Sequence, residues 1–413
     1  MGGPMLLNPY AGGYVQDPTP LWREVLAGDS PVRYAEDLQL WLIGGYDAVR
    51  RAFADARTFS NALTVVPTYP VCPAALELLR DFDIRPTTIG ADAPVHDRTR
   101  AALRAAVANN PGRVAERYGR IVDRRVDELV GAVAARAGEV VDLVPALTSE
   151  LPLRVVLDIL GIAEDADRIR AWARGQVEFI WGHPDPADQV ESAERLVEFW
   201  RYCTDLVARR AATAGSGTDA ITRLLAHRGG DDRVLTEAEV AALVFNLIVA
   251  GHETTTGLLA HALEFALAEP DRWRRLVAEP AGIPGYVEET LRYGPPIDGW
   301  LRVTTAPVTI GEVTIPAGAR CLLLIGAANR DGRVFADPDG FDPDRDNNTE
   351  HLSFGFGSHF CFGAPLARLE ARTLLERLTA RLPELRLAPG RDRFYRPNLA
   401  IRNLTTLPVV VPA

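Results

Sequence analysis

"HLSFGFGSHFCFG", residues 351–363, sets one cysteine, Cys361, among glycines and phenylalanines. Gly355, Gly357 and Gly363 each lose more conformational freedom on folding than another residue would. That cost is kept where the backbone is left-handed or where a large flat partner comes close. His351 and His359 invite a zinc reading. With Cys361 they supply three ligands on one short loop, whereas structural zinc takes four. The rest of the chain has to say what the thiol is for.

The next informative stretch upstream is "LTEAEVAALVFNLIVAGHETTTGLLAHALEFALAEP", residues 235–270. It opens with a capping box, Thr236 to Glu239, and runs without proline to Pro270. Roughly 33 residues at 1.5 Å each make a rod of about 50 Å, enough to cross the molecule. Its flanks are apolar, while Gly251, Glu253 and three threonines occupy the middle. A buried helix that turns polar and thin at its centre makes room for something. Beside Ala250 and Gly251, the acid–alcohol pair Glu253 and Thr254 reads as proton delivery to a bound group, or as a bend in which Thr254 bonds back one turn. A zinc-peptidase reading of "HETTT" fails, because that motif needs a second histidine where Thr256 stands.

Two further pairs stand at helical spacing. Glu289 and Arg292 in "EETLR" lie three apart and can pair, which taken alone reads as a surface salt bridge. His96 and Arg100 in "VHDRTR" share a face and offer donors to an anion, unless that face is simply solvated.

The chain of 413 residues is 47% hydrophobic and carries a net charge of −10. That balance argues against nucleic acid as partner. All 45 basic residues are arginine. The four cysteines (Cys72, Cys203, Cys321, Cys361) form no CxxC pair, as expected in a reducing cytosol. The N-terminus shows no signal-peptide pattern, and no apolar run reaches the ~20 residues of a membrane span. A cytoplasmic protein without membrane attachment is expected. Periodicity predicts strands at "VRYAE" and "LQLWLI", a helix at "YDAVRRAFAD", mostly helix from 95 to 227, and a hairpin at "VTIGEVTIP". Residues 61–94 show few element signals, which suggests a lid or binding loop. The fold class is mainly α with small β sheets, in a single domain over 1–413.

Taken together, these motifs resemble the cytochrome P450 family. "FGFGSHFCFG" is similar to its haem-binding loop at every defined position. The resemblance implies haem b with the Cys361 thiolate as axial iron ligand and with Phe354, Gly355, Ala250 and Gly251 against the macrocycle. It further implies His96, Arg100, Arg302 and His359 as propionate donors, Glu253 and Thr254 for O2 activation, and a structural cluster of Glu289, Arg292 and Arg345. By the same resemblance, segments 61–94 and about 172–195 are substrate-access loops, and Asn246, Val249, Ile297 and Trp300 are candidate substrate contacts. The implied reaction activates O2 and inserts one oxygen atom, by hydroxylation or epoxidation, into a mostly apolar organic molecule. An arginine-only chain of this kind resembles tailoring enzymes of secondary-metabolite and antibiotic biosynthesis. Electrons are expected from a separate ferredoxin or flavodoxin and its NAD(P)H reductase, docked on a basic patch that includes Arg98, Arg104, Arg368 and Arg372. A peroxide-driven haem enzyme, an oxidative-coupling or ring-forming variant, and a non-enzymatic haem sensor remain alternatives.

Overall fold

A computed structural model describes residues 9–10, 12–28, 30–163, 165–213 and 217–413. Two short helices, α1 (Gly12–Gln16) and α2 (Thr19–Leu26), precede the strands β1 (Val32–Ala35) and β2 (Leu40–Ile43). Helix α3 (Tyr46–Ala54), strand β3 (Phe59–Ser60) and helix α4 (Pro73–Leu78) follow. The chain then turns helical: α5 (Val95–Ala106), α6 (Pro111–Ala134), a strand β4 (Val140–Asp142), α7 (Glu150–Leu160), α8 (Ala166–Trp181), α9 (Pro186–Ala212) and α10 (Ala220–Arg228). After α11 (Glu237–Ala268) come α12 (Pro270–Ala278), α13 (Ile283–Tyr293), β5 (Gly299–Thr304), β6 (Val308–Ile310), β7 (Val313–Ile315), β8 (Arg320–Leu324) and α14 (Ile325–Ala328). The C-terminal part adds α15 (Ala364–Arg381), β9 (Arg386–Leu387) and β10 (Pro408–Val410).

Helix α11 forms where its sequence says it should. Thr236 Oγ1 accepts from the Glu239 amide, and the Glu239 carboxylate accepts from the Thr236 amide. Pro270 starts the next helix rather than extending this one. Most of α11 is buried, and α7, α8, α9, α13 and α15 pack around it. Burial on all sides explains why its apolar flanks show no single stripe.

The larger sheet has the order β1-β2-β8-β5-β3, with only β2 and β8 parallel. In it Trp300 stands opposite Leu323 and Arg302 opposite Cys321. The expected hairpin is β6–β7, with Ile310 paired to Val313 around a left-handed Gly311. A third small sheet joins β4, β10 and β9. The fold class is therefore as the sequence implies.

Two segments differ from the loops expected. Residues 61–94 contain α4, and 172–195 are helical apart from the turn between α8 and α9. Segment 61–94 is also tied down. Cys72 N donates to Gln189 Oε1 (2.7 Å), Trp181 Nε1 donates to Thr64 O (3.1 Å), and Phe82 packs edge-on to Trp200 and Phe245. No helix among the described residues is long and apolar enough to cross a membrane.

Candidate active site

The cysteine loop is built by its glycines. Gly355 and Gly357 adopt φ of +70° and +76°, which only glycine takes without strain. A Cβ on Gly357 would come within 3.1 Å of the Ala54 Cα and the Phe53 carbonyl, so the loop packs directly on the end of α3. The Cys361 amide donates to the Phe354 carbonyl at 2.8 Å, closing the loop just before α15. Cys361 lies deep in the fold, yet its side chain reaches accessible space. Burial raises its pKa; the Gly363 and Ala364 amides and the Arg100 and Arg368 charges pull the other way.

Next to the loop, four basic side chains converge. The His96 and His359 rings lie 4.0 Å apart. His96 Nδ1 is 2.9 Å from Asp97 Oδ1, while its Nε2 is buried without a hydrogen-bond partner. Arg100 donates to the Phe360 carbonyl (2.6 Å). Arg302 is 2% exposed, donates to the Leu301 carbonyl (2.8 Å), and forms no ion pair among the described residues. Burial lowers its pKa to about 9. Burial, and then His96 and Arg302, hold His359 near 3. Asp92, the nearby carboxylate, is already taken by Ser60 and by the amide and side chain of Asn61 (both 3.0 Å). Buried cations normally have partners; this group is short of negative charge and suits a ligand bearing carboxylates.

The middle of α11 presents a stripe at four-residue spacing. Ala250 is exposed and Asn246 and Thr254 half-exposed, with Leu247 and Gly251 partly exposed beside them, in a helix buried over most of its length. Thr254 Oγ1 donates to the Ala250 carbonyl at 2.9 Å, the back-bonded form. Glu253 points elsewhere. Its Oε2 accepts from Asn403 Nδ2 at 3.0 Å, with Arg396 3.9 Å away. The acid and the alcohol are thus not joined in this structure. Gly251 also departs from the ligand-side position the sequence suggests: a Cβ there would meet Val156 of α7 at 3.1 Å, so its smallness serves helix packing.

The Cytochrome P450 family profile matches residues 283–390, which carry the Glu289–Arg292 pair and the cysteine loop. Over 384 residues the chain is 35% identical to Cytochrome P450 107B1 of Saccharopolyspora erythraea, covering 92% of this chain and 91% of that protein. It is 33% identical to the same organism's 6-deoxyerythronolide B hydroxylase over 387 residues, 92% of each. The chain belongs to the cytochrome P450 family. Among solved structures, the Acinetobacter radioresistens CYP116B5 heme domain superposes with a TM-score of 0.92 at 29% identity, covering 98% of this chain and 97% of that one. The protein is accordingly a haem b enzyme, an oxidoreductase that incorporates an oxygen atom from O2. The converging donors and the accessible thiol fit the two propionates and the iron of that cofactor.

In this P450 the Glu289–Arg292 pair is no surface bridge. Both side chains are fully buried and bonded twice at 2.7 Å. Arg292 also donates to the carbonyls of Asn329, Pro338 and Gly340, and Arg345 Nε stands 3.7 Å from Glu289. Of the candidate substrate contacts, Ile297 and Trp300 are half-buried, with Trp300 5.5 Å from the Trp181 ring, and Val249 is buried. Asn246 donates to Thr87 Oγ1 (2.8 Å), joining the 61–94 segment to α11. The expected basic patch is partly spent internally. Arg98 pairs with Glu239, and Arg368 donates twice at 2.7 Å to Glu288. Asn61, Asp92 and Asn403 carry no motif that would have marked them in the sequence.

Proposed function

We propose that this P450 oxidises a mostly apolar organic molecule bearing a polar group, by hydroxylation or epoxidation, as a tailoring step in secondary metabolism. The carrying observation is the pairing of an accessible cysteine, on a glycine loop, with an anion-poor cluster of His96, Arg100, Arg302 and His359. The relative that hydroxylates 6-deoxyerythronolide B supports the substrate class.

Bound haem supplies reductive O2 activation, which a thiolate ligand favours by donating electron density to iron. Cys361 would hold the iron, and the basic cluster the propionates. Phe354, Gly355 and Ala250 would bound the macrocycle, with the Gly251 backbone behind them. Glu253 would carry a proton on its carboxyl oxygens and Thr254 would pass it on from Oγ1. Ile297, Trp300, Val249 and Asn246 would orient the substrate, with 61–94 and the α8–α9 turn as its route in. A separate ferredoxin or flavodoxin, with its NAD(P)H reductase, would deliver electrons. Glu289, Arg292 and Arg345 would keep the core in a haem-competent shape.

The test is Cys361→His. The variant is expected to bind haem but to lose the red-shifted Soret band of the reduced, CO-bound form; retention of that band would assign the ligand elsewhere. A substrate-induced spin-state shift in the parent then identifies the molecule.

A further inference from the structure

On α11, His252 is wholly buried and adjoins Glu253. Its Nε2 lies 3.3 Å from Ser149 Oγ. Its Nδ1 has no hydrogen-bond partner among the described residues and lies 3.6 Å from Glu253 Oε1, a small side-chain rotation short of a bond. A buried histidine bonded to a serine is ordinarily just packed. The second nitrogen speaks against that here, because a buried polar atom left unmade costs about 1–3 kcal/mol.

Both neighbours are held in position. Ser149 closes a π turn over Val144–Thr148, its amide bonded to the Val144 carbonyl (3.0 Å), and such turns collect at functional sites. Ser149 is half-buried and therefore reached by water. On the other side, Asn403 Nδ2 donates to Glu253 Oε2 (3.0 Å) and to the Glu253 main-chain oxygen (3.1 Å). The first of these hydrogen bonds holds Oε2 and leaves Oε1 to His252. The other charged groups nearby are Glu150 and Arg170, bonded to each other, and Arg396 of the tail. Burial lowers the His252 pKa, which keeps the ring neutral and so able to donate from one nitrogen and accept at the other.

We propose that protons reach Glu253 through Ser149 and His252. Nε2 takes a proton from the Ser149 hydroxyl, which is refilled from water, as the proton on Nδ1 passes to Glu253 Oε1. The imidazole stays neutral and exchanges tautomers; one proton has moved and no electrons have. His252 is thus a positioning residue that acts through Glu253. The inference rests on the proton-carrying role of Glu253 given above.

The test compares His252→Gln, Ser149→Ala and Glu253→Gln in the haem-loaded enzyme with its electron donors. His252→Gln is expected to lower product formed per NAD(P)H consumed and to change the solvent isotope effect, with the CO-bound spectrum and melting temperature kept. A second readout needs no turnover. In the diamagnetic CO-bound protein, ring ¹⁵N shifts of His252 should report a proton on Nδ1 and should move in Glu253→Gln. If His252→Gln does not take up haem, Ser149→Ala carries the same kinetic test. Unchanged coupling and isotope effect in folded His252→Gln or Ser149→Ala, with Glu253→Gln uncoupled, would overturn this route alone. Unchanged coupling in Glu253→Gln would remove the proton role of Glu253 itself.

Discussion

Asp298, in the segment that leads into β5, is buried with neither carboxylate oxygen hydrogen-bonded among the described residues. Arg402 Nε stands 3.8 Å away. Burial outweighs the pull of Arg402 and Arg330 and raises its pKa to about 7. The unfolded value is about 3.9, so folding takes up a proton between those limits. The stability contributed by the neutral acid is full below about pH 4 and lost as pH rises through 7. Asp298→Asn should therefore melt higher than the parent at pH 8, by no more than about 4 kcal/mol in stability, with the gain vanishing near pH 4. Melting curves across that range check it; a gain independent of pH would mean that Asp298 stays ionised. Nothing in "PPIDGWL" foretold this, because the charged groups that face the buried carboxyl, Arg402 and Arg330, are distant in sequence. The Glu289–Arg292 pair teaches the same lesson. Its spacing was legible and its burial was not, yet burial decides its worth: removing one partner of such a pair costs about 3–5 kcal/mol, against 0–1 at a surface.

Elements were legible where their signals are local. The capping box and the closing proline define α11 by chemistry within four residues of each end. Helix α4 was not legible, since a six-residue helix is held by partners such as Gln189 on α9 rather than by its own sequence. Gly257 shows an element shaped by a neighbour. Inside an exposed helix, Gly→Ala would gain about 1 kcal/mol. Here a Cβ would collide with Asn403 Oδ1 and lie 2.8 Å from Pro296 Cβ and 3.1 Å from the Arg402 carbonyl. Gly257→Ala is expected to destabilise by about 1–3 kcal/mol and to push Asn403 off Glu253. Adding Asn403→Gly should recover only part of the loss, because Pro296 and the Arg402 carbonyl still collide. Denaturant unfolding of the single and double variants measures this; a more stable Gly257→Ala would show that the tail does not rest on α11.

Across the whole molecule, the net charge of −10 makes any unpaired basic group beside the cysteine loop conspicuous to an acidic electron donor. Intramolecular pairing decides which groups remain. Arg98 is bound by Glu239, and Arg368 by Glu288 while it lies over the Phe354 ring at 4.5 Å; neither offers much free charge. Arg372 stays two-fifths exposed at 3.8 Å from Glu288. Arg104 is exposed and in no ion pair among the described residues. It lies one turn beyond Arg100, whose guanidinium reaches the Phe360 carbonyl beside Cys361, and the Phe360 ring is itself exposed. A donor settling there would meet an aromatic flanked by cations, within short range of the cysteine. Arg104→Glu should slow reduction by an acidic ferredoxin or flavodoxin, by roughly tenfold in dilute buffer. The effect should fade as added salt shortens the screening length from about 30 Å at 0.01 M to about 3 Å at 1 M. Substrate affinity should not change. Arg372→Glu should act in the same direction but also disturb Glu288, so its melting temperature must be followed in parallel. Stopped-flow reduction rates across a salt series separate the cases, and equal rates for parent and Arg104→Glu at every ionic strength would move the docking face away from α5.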